Sequence, residues 1–249
     1  MRPAGLILDF GGIIALSERN PGWEQRVAPA IIEILGNASP PASRIESDLS
    51  AASVAYSLWR DAMSRPMSPP EIGADTYVHD LMAADWPRAD RELLVGHEAT
   101  ICALISHHQV TRTLRPGIRD VLELCRDSGL PVAIGSNALS GQVHREFLAE
   151  HGLSQYVQAE IYSDEAGVRK PNPHLIHQAA DSIGLTAGEC WYVGDRLDRD
   201  ILCGQRAGVG ASILIPVPGA PPRPYETPLE PDMEFAELSG LLQALQSAI

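Results

Sequence analysis

The sequence predicts an α/β protein, a doubly wound parallel sheet carrying an inserted helical domain. Three observations lead there. Short apolar runs end repeatedly in a polar residue or glycine, as at Leu6-Ile7-Leu8-Asp9 and Cys190-Trp191-Tyr192-Val193-Gly194, and such runs read as buried strands. From residue 116 onward these strands alternate with amphipathic helical stretches, the pattern of a parallel sheet. Between about 17 and 110 the strand signals vanish and apolar residues recur every three or four positions, which reads as helix.

In order, the first strand is Leu6 to Leu8, closed by Asp9 and the glycines Gly11 and Gly12. It carries Asp9 at its C-terminal end, the edge of an open α/β sheet where ligands bind. Helical patterns follow over 24–36, 44–64, 70–84 and 88–106. The second is the clearest, with Ile45, Leu49, Ala52, Tyr56, Trp59 and Met63 on one face. Breaks such as Arg65-Pro66-Met67-Ser68-Pro69-Pro70 separate them. Pro116-Gly117 then opens a helix to Ser128, which Gly129 ends. Leu130 to Ile134 is a strand leading into Gly135-Ser136-Asn137. A helix from Ser140 to His151, a strand over Ala159 to Tyr162 and a helix from Pro173 to Ile183 come next. The strand Cys190 to Val193 ends at Gly194-Asp195 before a helix through Ala207, and Ala211 to Ile215 is another strand. Residues 216–231 are proline-rich loop, and a short strand (Met233 to Phe235) and helix (Leu238 to Leu245) close the chain.

Composition narrows the function. With 249 residues, 45% of them hydrophobic, the chain can bury a large core. A net charge of −13, from 19 basic and 32 acidic residues, argues against nucleic acid or an anionic membrane as main partner. Met1-Arg2 and the apolar run after it imitate a signal peptide, but Asp9 interrupts the run and no small-x-small cleavage site follows. No run reaches the ~20 apolar residues of a membrane span. Cys102, Cys125, Cys190 and Cys203 lack CxxC spacing and read as free thiols of a cytoplasmic protein. In that setting the sequon Asn37-Ala38-Ser39 carries no meaning.

Chemistry-bearing residues gather at strand ends: Asp9, Ser136 and Asp195 directly after strands, with Lys170 and Asp200 nearby. Taken singly each has an ordinary structural explanation, Asp9 as a turn cap and Ser136 as a helix N-cap. Asp-Phe-Gly also matches a kinase metal motif, but no HRD or glycine-rich loop accompanies it. Lys170 stands apart as the single lysine of the chain. Every other basic side chain is arginine, which points to a need for a compact ammonium at this position.

Taken together, and in this order, the four stretches resemble the motifs of the haloacid dehalogenase (HAD) superfamily. Leu6-Ile7-Leu8-Asp9-Phe10-Gly11-Gly12-Ile13 resembles the first, Ala133-Ile134-Gly135-Ser136-Asn137 the second, and Val168-Arg169-Lys170-Pro171-Asn172-Pro173 the third. The fourth is Tyr192-Val193-Gly194-Asp195-Arg196-Leu197-Asp198-Arg199-Asp200-Ile201. The insert resembles the superfamily's type-one helical cap. The resemblance implies a Rossmann-like core at 1–16 and 111–249 and a cap at 17–110. It further implies an Mg²⁺-dependent phosphatase acting on a small phosphorylated metabolite, a sugar phosphate being one option. Asp9 would be the nucleophile, forming an aspartyl-phosphate. Asp9, Asp195 and the Gly11 carbonyl would bind the metal, with Asp200 holding its water shell or Lys170. Ser136, the backbone near Asn137, and Lys170 would hold the phosphoryl oxygens.

One departure matters. The family's phosphatases usually carry Asp two residues after the nucleophile as general acid and base, and here that residue is Gly11. Glu18, His79 or His107 could take over, the substrate could have a good leaving group, or the protein could be a weak catalyst or a non-catalytic binder. The dehalogenase branch needs no metal and would not be expected to keep both Asp195 and Asp200. The phosphonate-cleaving branch needs a second lysine, which this chain lacks. Within the cap, Trp23, Trp59, Trp86, His79 and Arg60 are candidate substrate contacts, and most are expected to be packing residues.

Overall fold

A computed structural model describes residues 2–36, 40–220 and 225–249. The sequon at Asn37-Ala38-Ser39 lies outside the described residues, as does part of the proline-rich loop.

In chain order the elements are β1 (Gly5–Leu8), β2 (Ala15–Arg19), α1 (Trp23–Leu35), α2 (Ala42–Ala62) and α3 (Ala74–Thr76), which runs on into a π-helical turn, Tyr77–Met82. Then come α4 (Arg88–Leu93), α5 (Glu98–Gln109), β3 (Val110–Leu114), α6 (Ile118–Asp127), β4 (Val132–Ser136), α7 (Gly141–Glu150), β5 (Ala159–Tyr162), α8 (Ser163–Ala166) and α9 (His174–Ser182). The chain finishes with β6 (Cys190–Gly194), a π-helical turn at Leu197–Ile201, α10 (Leu202–Ala207), β7 (Ala211–Leu214), β8 (Met233–Glu234) and α11 (Leu238–Ala248).

Six strands form one parallel sheet in the order β5-β4-β1-β6-β7-β8. The central strands are buried on both faces, which explains their unbroken apolar runs. Alternate residues still divide between the two faces. Leu6, Leu8, Ile134 and Val193 pack with Ile118 and Val121 of α6, Phe147 of α7 and Leu241 of α11. Ile7, Ala133 and Tyr192 face the other way, onto Ile176 and Ala179 of α9 and Cys203 of α10. The order β4-β1-β6 sets the C-terminal ends of three strands side by side, and those ends carry Ser136, Asp9 and Asp195.

The insertion α1–α5 has its own apolar core, centred on Trp23, Val27, Ile31, Leu49, Tyr77 and Ile101. Two features differ from the sequence expectation. The stretch expected as one helix over 88–106 is two, because Gly96 adopts a left-handed φ of 87° between them. A strand pair also frames the insertion: β2 and β3 run antiparallel with Ala15 opposite Leu114 and Arg19 opposite Val110. Outer β2 is largely exposed, so it lacks the apolar signal of the central strands.

A third crossing joins the insertion to the sheet. Pro70 bridges Val168, the Glu71 N–H donates to the Gly167 carbonyl at 3.0 Å, and the Arg169 N–H to the Pro69 carbonyl at 3.3 Å. The Glu71 carboxylate meets the fully buried Arg169 guanidinium at 2.6 Å and accepts the Ser163 hydroxyl at 2.6 Å.

Candidate active site

Asp9 leaves the sheet at the end of β1, its N–H held by the Val193 carbonyl at 2.9 Å. The turn after it is closed by the Gly12 N–H on the Ala15 carbonyl at 2.8 Å. Gly12 has a φ of 81°, and a Cβ there would lie 2.6 Å from Asp195 Cγ, so glycine is what lets Asp195 approach. Gly194 serves Asp200 in the same way, since a Cβ there would collide with the Asp200 side chain. The π-helical turn after β6 brings Asp200 back over the strand end, where its Oδ2 accepts the N–H groups of Asp195 (3.2 Å) and Arg196 (3.0 Å).

Lys170 enters from the loop before α9. Its Nζ lies 2.8 Å from Asp9 Oδ1 and 2.7 Å from Asp200 Oδ1, and donates to the Tyr192 hydroxyl at 3.0 Å. The Tyr192 hydroxyl in turn donates to Asp200 Oδ1 at 3.0 Å. Three acceptors thus converge on one nitrogen that is almost wholly buried, a geometry a tetrahedral ammonium satisfies and a planar guanidinium does not. Asn137 fixes this lysine from the backbone side, its Oδ1 accepting the Lys170 N–H at 2.7 Å. The Ser136 hydroxyl also contacts Asp9. Asp9, Ser136, Asn137, Lys170, Asp195 and Asp200 therefore meet at one place, with Gly11 on the turn beside them.

The charges do not balance there. Burial alone would lower Lys170, but Asp200 and Asp9 together carry it above its ordinary value. Asp200 is drawn down despite its burial, by Lys170 and Arg199. Asp9 is pushed up by burial, with Lys170 opposing and Asp200 adding. Asp195 is pushed up to about 8 by burial and by the carboxylates of Asp200 and Asp9. Asp195 is thus the one of the three that forms no ion pair among the described residues. Oxygens of Asp9, Asp195 and Asp200 all lie within 4.8 Å of one another. An all-oxygen donor set with surplus negative charge fits a hard divalent cation such as Mg²⁺.

Beside this cluster, reached past Asn137 and Arg199, lies a cavity of about 330 Å³ between the insertion and the strand ends. Several of its residues were not legible in the sequence. Arg199 faces Asp200 and Asp195. His144 stacks on Phe10 with ring centroids 3.9 Å apart, and its buried Nδ1 has no partner among the described residues. Arg115, buried away from the cavity, clamps the Gly12, Ile215 and Pro216 carbonyls. Only spatial proximity links these residues to Asp9, so no local pattern marks them. The side chains expected to replace the missing carboxylate lie elsewhere. Glu18 is exposed on β2, His79 pairs with Glu98 at 3.0 Å, and His107 packs on His108 at a separate cavity. Of the expected insert contacts, Arg60 lines the cavity and Trp59 lies under Arg169. Trp23 and Trp86 are core, the latter's indole N–H bonded to Asp48 at 2.7 Å.

A parallel α/β sheet with acidic groups and one lysine at its carboxyl edge defines a Rossmann-like hydrolase class. The model of the haloacid dehalogenase-like hydrolases matches residues 5–208, and the chain belongs to that family. It is 34% identical over 94 residues to the glyceraldehyde 3-phosphate phosphatase of Methanopyrus kandleri, covering 38% of this chain and 40% of that protein. It is 35% identical over 101 residues to the phosphoglycolate phosphatase of Aliivibrio fischeri, covering 41% and 43%. The chain thus spans less than half the length of these curated relatives. Among solved structures, HAD-hydrolase YfnB of Bacillus subtilis, bound to magnesium, superposes with a TM-score of 0.61 at 18% identity over 99% of this chain and 100% of that one. The 2-haloacid dehalogenase of Pseudomonas syringae pv. tomato does so with a TM-score of 0.61 at 16% identity over 98% of both. At these identities the likeness is one of fold.

Proposed function

We propose that this protein is a cytoplasmic, metal-dependent phosphatase that hydrolyses a small phosphorylated metabolite through an aspartyl-phosphate on Asp9. The observation that carries the reading is the Lys170 ammonium bridging Asp9 and Asp200 while Asp195, beside them, forms no ion pair among the described residues. The phosphatase names of the relatives support it. In this reading residues 17–110 are a cap of the type-one kind and the rest is the catalytic core.

The Phe10 N–H (2.7 Å) and the Lys170 Nζ both fall on Asp9 Oδ1, which leaves Oδ2 as the attacking oxygen. Asp9 forms a bond to phosphorus as the ester oxygen leaves, and water then cleaves the acyl phosphate, returning the carboxylate and inorganic phosphate. Lys170 and Ser136 hold the phosphoryl oxygens as charge shifts onto them. Asp9, Asp195 and the Gly11 carbonyl would hold Mg²⁺, whose charge would offset that of the phosphate dianion. With Gly11 in place of a carboxylate, the departing oxygen receives no proton from the usual position. Esters whose alcohol leaves readily, such as sugar 1-phosphates, suit the site best.

The test is hydrolysis of an aryl phosphate with Mg²⁺. We expect turnover that EDTA removes and that Asp9→Asn abolishes. Gly11 favours a second reading, a non-catalytic binder of phosphometabolites, which an inactive wild type across a broad phosphomonoester panel would support. Metal-free halide release from a 2-haloacid would replace both.

A further inference from the structure

The cavity beside Asp9 inverts the charge of the protein that surrounds it. Among the described residues, five arginines line it, Arg19, Arg60, Arg112, Arg169 and Arg199, and no carboxylate does, although the chain holds 32 acidic residues against 19 basic ones. Two of the five are already matched. Arg169 has Glu71, and Arg199 is drawn to the acidic cluster at the strand ends. Arg19 is exposed at the mouth. That leaves Arg60 at the end of α2 and Arg112 on β3, on the walls that the insertion and its stem provide.

Neither forms an ion pair among the described residues. Arg60 lies over the Tyr56 ring, 5.1 Å from its centroid, and its buried Nε has no acceptor among the described residues. Its cationic neighbours, Arg199 and Arg169, repel it, and the Asp61 carboxylate attracts it more weakly. The terminal nitrogens of Arg112 reach only the Ser106 carbonyl (2.9 Å) and hydroxyl (3.1 Å). Burial weakens the charged form of both guanidiniums. A partly buried cation without an ion pair carries a desolvation cost, and a ligand that supplies the anion recovers it.

We infer that the substrate carries a second anionic group, a carboxylate or a further phosphoryl, which Arg60 and Arg112 hold while the reacting phosphoryl sits at Lys170 and Ser136. The inference rests on the phosphatase reading for the reacting end only. About 330 Å³ admits the far end of a small metabolite, and Asn137, which lines the cavity and accepts the Lys170 N–H, marks where it adjoins the reacting end. The insertion therefore selects by charge as well as by size.

Calorimetric titration with non-hydrolysable phosphonates in the presence of Mg²⁺ tests this without turnover. Propylphosphonate has a neutral far end, 3-phosphonopropionate a carboxylate, and ethylene-1,2-bisphosphonate a second phosphonate. We expect at least one doubly anionic probe to bind wild type about 10- to 100-fold more tightly than propylphosphonate, as charge-assisted hydrogen bonds allow. The better of the two identifies the group. The ratio should fall toward one in Arg60→Gln and in Arg112→Gln, and either variant suffices if the other does not fold. Equal binding of all three probes by wild type, or a preference that survives both substitutions, overturns the inference. A clear preference in a protein that hydrolyses no phosphomonoester keeps the anion site and removes the phosphatase chemistry. Turnover without preference does the reverse.

Discussion

Gly11 and Gly12 are neighbours with different reasons to be glycine. At Gly12 the left-handed backbone and the Asp195 carboxylate both exclude a side chain, so Gly12→Ala should displace Asp195 and weaken Mg²⁺ binding at least tenfold by calorimetry. At Gly11 the backbone is ordinary and a Cβ would meet nothing within 4 Å. The missing carboxylate is therefore a chemical choice that the fold does not impose. Gly11→Asp should raise kcat on alkyl phosphates by up to roughly 10²-fold, at the low end for a proton shuttle, and on aryl phosphates much less. An equal gain on both would show that the new carboxylate acts by some other route. Lys170→Arg should lose more than about 10²-fold in kcat, because a planar fork cannot serve Asp9, Asp200 and Tyr192 from one buried point. At this scale the sequence was legible where position alone carries meaning: Asp9, Ser136 and Asp195 follow strands, and Lys170 is chemically unique. His144 and Arg199 were not, because their relation to Asp9 exists only after folding.

Among elements, the tie between the insertion and the sheet depends on the Glu71–Arg169 pair, whose side chains are 2% and 0% exposed. Removing one charge strands the other in the interior. Glu71→Gln should cost about 3–5 kcal/mol in urea-induced unfolding, and Glu71→Met combined with Arg169→Met should recover most of it. A double variant no more stable than the single one would show that the loss does not come from the stranded charge. The same scale shows why boundaries were harder to read than elements. The strand expected over Leu130 to Ile134 lies at Val132–Ser136, because a strand buried on both faces offers no alternation to fix its ends. The β2–β3 pair was missed because exposed β2 gives no apolar run and its partner is ninety or so positions away, a separation that pattern reading within short windows does not span.

For the molecule as a whole, His144 links the site to acid stability. Burial first, then Arg112, Arg145 and Lys170, hold its imidazole well below the ordinary 6.5. Below pH 6.5 the unfolded chain takes up a proton that the folded one refuses, so this residue subtracts from stability as pH falls and is neutral in effect above 6.5. The slope it adds is at most about 1.4 kcal/mol per pH unit. His144→Phe, which keeps a ring against Phe10, should flatten the loss between pH 6.5 and 5 in thermal melts at fixed ionic strength. An unchanged slope would mean that other groups set the acid limit. The general architecture was legible at this scale, since strand–helix alternation specifies a parallel sheet. The arginine-lined cavity was not, because its members come from seven separate stretches of chain. The strap at Pro69–Glu71 has a mechanical corollary. A lobe attached only through β2 and β3 could swing outward like a door, whereas one pinned again at Val168 and Arg169 must break those contacts to do so. Ser17 and Arg19 are the exposed members of the arginine chamber's lining, so on an insertion held at three points they are the residues an entering molecule meets first.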